Sequence, residues 1–417
     1  MGPPQADCPC CQCNVHRSAW AVPARRDAHP TSTNIHFAKP LLELTAAFSI
    51  IAPMSLSQDI KHKTIELGFD LLGVTDAAPI DAEQAKAFAE WLESGFAGDM
   101  DYMHRNLQKR LSPAILMDGA RSVIVVGLNY TPAQFRSGDD RETTDPRVRG
   151  DRLAPAEAGG RETRDEGPET SIEHRESGRV ANYALYEDYH QFVKERLRDL
   201  VAFVNSLVDA EFKFRICVDS VPLAERALAV RAGLGFIGKN HMLINPELGC
   251  QIFLGEIVTS LETSTDKPCR GRPALESRAG SPRHGAANCS DCRKCIDACP
   301  TGALRGDGQF DAGRCINYLT IEHKGPIPPE LAEKIGDRLF GCDECVLACL
   351  YQKDAPACTN GQFKFHGDRA NLDLREILNM DGESFDARFA DSPIKRIGLE
   401  GLKRNARICL ANVTRRR

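Results

Sequence analysis

The chain has 417 residues, enough for two or three domains with cores of their own, and its 42% hydrophobic and 27% charged content is that of a soluble globular protein. A formal net charge of −5 argues against a globally basic nucleic-acid binder. No stretch reaches the roughly 20 apolar residues of a bilayer span, so no membrane association is expected.

The first 53 residues stand apart. Cys8, Cys10, Cys11 and Cys13 cluster there, Arg25 and Arg26 follow, and a short apolar run from Leu41 to Ala52 contains Glu43. A twin-arginine export signal would set its apolar run closer to the arginines and keep it free of charge. Met54 is therefore read as the working start and residues 1–53 as a disordered upstream extension, whose cysteines are candidate metal ligands.

From Asp59 the pattern turns regular. Apolar periodicity predicts a helix from Asp59 to Leu67, a buried strand from Phe69 to Val74, a helix from Ala85 to Leu92 stopped at Gly95, and a strand from Arg121 to Gly127. Residues 131–179 are rich in Arg, Asp, Glu, Gly and Pro and poor in large apolar side chains, which predicts a mobile insertion. A helix is expected over Tyr183–Leu207, then a period-2 strand over Phe212–Val218. That strand runs into Asp219-Ser220-Val221-Pro222 and a helix carrying Leu223, Ala227, Val230 and Leu234.

Alternating strands and helices indicate an α/β layer structure, placed over residues 54–262. Ligands of open α/β sheets sit beyond the carboxyl ends of strands, which singles out Asp219; a plain helix N-cap is the competing reading. The turn Gly235–Asn240 leads toward a strand over Gln251–Val258, and its two glycines permit close approach to a flat ligand. Residues 263–288 read as a linker or insertion.

The strongest signal comes next. Cys289, Cys292, Cys295 and Cys299-Pro300 have the spacing of two-cluster ferredoxins, in which three cysteines grip one cube and the fourth crosses to the other. Cys342, Cys345 and Cys349 follow, with Cys315 between. Crossed ligation assigns Cys289, Cys292, Cys295 and Cys349 to cluster 1, and Cys299, Cys315, Cys342 and Cys345 to cluster 2. Leu350 stands where a second proline is usual, which touches loop stiffness and not coordination. Zinc also takes four-cysteine sites, and a disulfide framework is the other alternative.

Residues 289–358 are thus expected to form a ferredoxin-like two-cluster domain, and 359–417 a short helical one with helices near Leu372–Leu378 and Ile394–Leu410. From Asp391 onward Lys395, Arg396, Lys403, Arg404, Arg407, Arg415, Arg416 and Arg417 face only Asp391 and Glu400, a local net of +6. Such a tail is either a phosphate-binding surface or a solvated basic helix.

Taken together, the motifs resemble the epoxyqueuosine reductases of tRNA modification. The resemblance runs from about Phe69 to Asn412 and rests on Gly68-Phe69-Asp70, Trp91–Gly95, Gly98-Asp99-Met100, Ser122-Val123-Ile124, Asp188-Tyr189-His190, Val218-Asp219-Ser220, Gly233–Asn240, the eight cluster cysteines, Tyr318–His323, Gly341-Cys342-Asp343 and Ser392–Arg396. Phe236 stands where Trp is usual and Cys250 where Ser is usual, and the two insertions are long.

The resemblance implies an oxidoreductase with a cobalamin in the α/β domain and two [4Fe-4S] clusters, reducing epoxyqueuosine to queuosine at the wobble position of tRNA. Asp219 then matches the proton donor and His190 a relay; Asp188, Tyr189, Gly235, Phe236, Gly238, Lys239 and Asn240 are expected around the cofactor, and Lys395, Arg396, Lys403 and Arg404 on the tRNA. For Asp219 to donate, burial must outweigh the preference of a helix N-terminus for the anion. A cytoplasmic monomer fed by a low-potential electron donor completes the expectation. A cobalamin-dependent reductive dehalogenase would share both cofactors but needs export, and a ferredoxin-type electron carrier would leave the α/β domain without a task.

Overall fold

Residues 56–133, 176–263 and 288–415 are described by the structure, a computed structural model. The expected extension over residues 1–53, residues 134–175 of the expected insertion, and residues 264–287 with Cys269 lie outside the described residues.

Among the described residues there are nine strands: β1 (Leu71–Asp76), β2 (Ser122–Asn129), β3 (Ser177–Val180), β4 (Phe214–Cys217), β5 (Phe236–Ile237), β6 (Leu243–Ile244), β7 (Ile252–Thr259), β8 (Arg338–Phe340) and β9 (Asn371–Asp373). The main sheet has the order β1-β2-β7-β4 and every pairing in it is antiparallel. All eight residues of β2 are buried because both faces of the sheet are covered. Ile124, Val126 and Leu128 face the large core that holds the Tyr189–Leu207 helix. Val123 and Val125 face a second core built on Leu223, Leu228 and Ala229. At about 1.5–3 kcal/mol for each large side chain taken fully out of water, these two layers anchor the fold.

The antiparallel order corrects one step of the sequence argument. The rule about carboxyl ends of strands applies to open parallel sheets, so it is not what places Asp219. That residue follows the four-residue edge strand β4, where Phe214 stays exposed and the expected period-2 pattern is not realised.

The Tyr189–Leu207 helix starts later than expected. Asn182–Leu185 forms a 3-10 turn, and Asp188 then caps the helix by accepting the His190 backbone N–H. Phe192, Val193, Leu197, Leu200, Val201 and Val204 give the helix its buried stripe.

Both ends of the expected insertion belong to the fold. Thr131 is buried and accepts from Gln352 Nε2 at 3.0 Å. Strand β3 lies at the centre of a three-stranded sheet, parallel to β8 and antiparallel to β9. The C-terminal helix, Gly398–Arg415, packs over β8 and β3 and buries Leu402, Asn405, Ala406, Cys409 and Asn412, so one face of the basic tail is core. Gly398 (φ 69°) separates it from a 3-10 turn, Pro393–Ile397, which splits the single helix expected there. The described residues between 56 and 415 belong to one compact unit.

Candidate active site

Strand β4 and the Glu225–Arg231 helix are joined by a short loop that holds Asp219 at φ 51°, a left-handed conformation that Asp tolerates better than most residues. The Asp219 backbone N–H donates to Glu225 Oε1 at 2.7 Å, which fixes the loop. On the neighbouring helix, His190 is clamped between two carboxylates. Its Nδ1 is 2.7 Å from Asp188 Oδ1 and its Nε2 is 3.0 Å from Asp219 Oδ2. Tyr189 stacks on His190 and on Phe253, each with ring centroids 4.1 Å apart, and its hydroxyl helps hold the Asp219 carboxyl below the ordinary value. Arg396 closes the group, with Nη1 3.5 Å from Asp219 Oδ2 and Nη2 2.9 Å from Glu322 Oε1.

The charge states follow from these contacts. Burial pulls the His190 imidazolium toward neutrality, but the hydrogen bonds to Asp188 and Asp219 outweigh it and lift its pKa to about 9. Burial also favours a neutral Asp219; the His190 bond and the Arg396 charge outweigh that, and its pKa falls below the ordinary carboxylate value. The condition set for Asp219 as donor, that burial outweigh the anion's stabilisation, is thus not met by these groups alone. The shared proton rests on His190, and it belongs to the pair. Behind Asp219, burial and the Asp219 charge raise Glu225 to about 7. Glu256 on β7 is wholly buried, and burial raises it well above the ordinary value.

A cavity of about 880 Å³ opens in front of this group. Asp188, Tyr189, His190, Asp219 and Asn240 line it, with Tyr102, Tyr130, Tyr183, Met100, Met242 and Phe310 among its apolar and aromatic walls. Cys299, Cys315, Cys342 and Cys345, the whole second cysteine set, line the same cavity. The volume and lining suit a flat organic cofactor, with the proton group and the thiols bordering one space.

Thiols of each expected group lie near enough to one another to oppose each other's ionisation. Burial together with the thiolates of Cys289, Cys349 and Cys292 raises the Cys295 thiol. Burial together with Cys342, Cys315 and Cys299 does the same at Cys345. Thiols that resist ionisation in each other's company are relieved by a cationic core. Four thiolates in each set match the four corners of a cube with an iron at each.

Other expected site residues lie elsewhere. Gly235, Phe236, Gly238 and Lys239 do not line the large cavity. Gly235 is pressed against β6, where a Cβ would sit 2.2 Å from the Ile244 carbonyl oxygen, so its missing side chain serves chain packing and leaves no opening for a ligand. Phe236 packs in a small cluster with Cys289, Cys345 and Cys349.

The basic tail divides as well. Lys395 and Arg396 line the cavity. Arg404 is committed internally, donating to the carbonyls of Leu319, His323 and Gly325 and to Asn405 Oδ1. Lys403 is half-buried on the same helix. Glu225 and Glu322 escaped the sequence reading; Glu225 had the one available signal, an acidic residue in the first turn of the helix after Asp219.

Comparison with known proteins agrees with this geometry. A family described as 4Fe-4S double cluster binding domain matches residues 288–352, and the chain accordingly binds two [4Fe-4S] clusters. A second, described as epoxyqueuosine reductase QueG, DUF1730, matches residues 161–220. The epoxyqueuosine reductase of Pseudomonas aeruginosa is 35% identical over 86% of this chain and 86% of its own length, and that of Burkholderia pseudomallei 37% identical over 86% and 82%. A crystal structure of epoxyqueuosine reductase with an epoxyqueuosine-modified tRNA-Tyr stem loop superposes with a TM-score of 0.67 at 27% identity, covering 86% of this chain and 81% of that one. With mixed α/β architecture, paired cluster sites and identity above 30% along most of its length, the chain belongs to the epoxyqueuosine reductase family.

Proposed function

We propose that this chain reduces epoxyqueuosine at the wobble position of tRNA to queuosine. The observation that carries the reading is that one cavity is lined both by Asp219 and His190 and by the second cysteine set. Removing an epoxide oxygen to leave an alkene takes two electrons and two protons and releases water, which side chains alone cannot supply. When bound, a cobalamin, the organic cofactor of the family, and the two clusters supply the electrons. Asn240, Tyr189 and the aromatic wall would hold that cofactor in the cavity.

The protein manages the proton. Asp188 accepts from His190 Nδ1 and fixes the ring so that Nε2 faces Asp219, a carboxylate–imidazole arrangement that sets both orientation and tautomer. Asp219 takes the His190 proton and hands it to the departing substrate oxygen as carbon–oxygen cleavage builds charge there. Arg396 and Tyr189 steady the carboxylate during the transfer. Lys395, at the cavity, would meet phosphates flanking a base turned into it, with Arg396 joining it from its ion pairs with Asp219 and Glu322. Cys299, Cys315, Cys342 and Cys345 hold the inner cluster, and Cys289, Cys292, Cys295 and Cys349 the outer one.

The α/β part, the two-cluster part and the helical end follow one another along the chain, and the protein works as a cytoplasmic monomer supplied by a low-potential donor. No helix among the described residues is long and apolar enough to cross a membrane. The test is a single-turnover assay of reconstituted protein with cobalamin, a strong reductant and epoxyqueuosine-containing tRNA, read by nucleoside mass spectrometry. Queuosine is expected; eight irons and bound corrin without any conversion would overturn the substrate assignment.

A further inference from the structure

The segment Gly235–Asn240 reaches the large cavity only through Asn240, yet it is held in a tight hairpin. Gly238, like Gly235, has no room for a side chain, since a Cβ there would lie 2.3 Å from Ile244 Cδ1. This packing carries Lys239 to the first cysteine set. The Lys239 backbone N–H donates to Cys289 Sγ at 3.4 Å, and Lys239 Nζ donates to the carbonyl of Ser290, the next residue, at 2.6 Å. A second polar hydrogen lies close by. Cys250 is 1% exposed, packs in the small cluster that includes Cys289 and Cys349, donates its S–H to the Val346 carbonyl oxygen at 3.8 Å and accepts from Asn240 Nδ2 at 3.9 Å.

Lys239 and Cys250 stand 50 and 99 residues before the cysteines they touch, whereas the second set receives donors from its own surroundings, such as the Thr301 hydroxyl 3.7 Å from Cys299 Sγ. Hydrogen bonds and positive charge at cluster sulfurs stabilise the reduced, more negative form and raise the reduction potential.

We propose that Lys239 and Cys250 are potential-setting residues of the outer cluster, held by Cys289, Cys292, Cys295 and Cys349. One electron added to that cluster places negative charge on its sulfurs. The Lys239 N–H and ammonium answer that charge, and the Cys250 S–H, packed beside Cys349, turns to it from the Val346 carbonyl, without transferring a proton. The inference rests on the cysteine assignment made under the proposed function and is independent of the substrate.

The experiment is an anaerobic redox titration of the full-length reconstituted protein, followed by electron paramagnetic resonance, for the parent, Lys239→Met, Cys250→Ala and Cys250→Ser, with iron counted in each. Eight irons per chain verify the cysteine assignment first, and a lower count in the parent protein would instead defeat that reading. In Lys239→Met and Cys250→Ala, one of the two cluster signals should lose about tenfold in its reduced-to-oxidised ratio at fixed potential, which is 59 mV for a one-electron couple. The other signal should stay put, and Cys250→Ser, which keeps a donor, should return to within threefold of the parent. If Cys250→Ala loses iron, Lys239→Met decides. Unmoved signals, or an equal shift of both, in variants with eight irons overturn the proposal.

Discussion

Asp219→Asn isolates the proposed proton transfer. Asp219 Oδ2 lies 3.0 Å from His190 Nε2 and 3.5 Å from Arg396 Nη1, so the amide removes the charge that both cations face while keeping the shape. Asn accepts the left-handed backbone at least as readily as Asp, so the loop gains no strain from the exchange. Its side chain is 42% exposed, and the change in stability should stay within about 1 kcal/mol. Loss of a general acid costs roughly 10² to 10⁴ in rate, or about 2.7–5.4 kcal/mol of barrier. Single-turnover conversion of an epoxyqueuosine stem loop, measured beside iron content and thermal midpoint, reads both effects. Turnover within threefold of the parent, with clusters intact, would refute the role assigned to Asp219.

The remaining expectations concern charge and packing. The folded-state pKa of His190, about 9, lies above the ordinary imidazole value near 6.5, so its stabilising contribution is complete below about pH 6.5 and is lost as pH rises through about 9. Single-turnover rate should fall over that same upper limb; His190→Gln should be slower throughout and lack the limb, as rate–pH profiles of both proteins will show. Arg404→Ala strips three backbone carbonyls of a charged donor and should cost about 2–4 kcal/mol, read as a lower chemical-denaturation midpoint. Lys395→Glu should leave that midpoint alone and weaken tRNA binding, with the slope of log affinity against log salt reduced by about one.

Much of this was legible in short-range pattern. The cysteine spacing announced two clusters, because turns of two and three residues confine where thiolates point, and the Tyr189–Leu207 helix showed in its apolar periodicity. Strand direction was hidden. A continuous apolar run such as Val123–Leu128 reports only that both faces are covered, and the helices between β1, β2 and β7 imitate the crossovers of a parallel sheet. Which structure a conformationally special segment serves was equally out of reach: Gly235 and Gly238 advertise close approach, but Ile244, not a ligand, is what approaches. Arg404 looked like a surface cation because its partners, Leu319, His323 and Gly325, lie about 80 residues upstream.

The three-stranded sheet bears on when the protein can be loaded with iron. Arg179 on β3 donates its N–H to the Asp337 carbonyl 158 residues away, and Gly341, one residue past β8, turns at φ 75° where a Cβ would lie 2.5 Å from the Ala181 methyl. Cys342 therefore reaches its place only through a pairing of very long sequence separation, the slow kind to form. On the ribosome, the outer set also waits for Cys349, so neither set of four is complete until more than four-fifths of the chain has been made. Cluster delivery is thus a late event by construction, and a scaffold protein bringing iron and sulfide meets an almost finished fold.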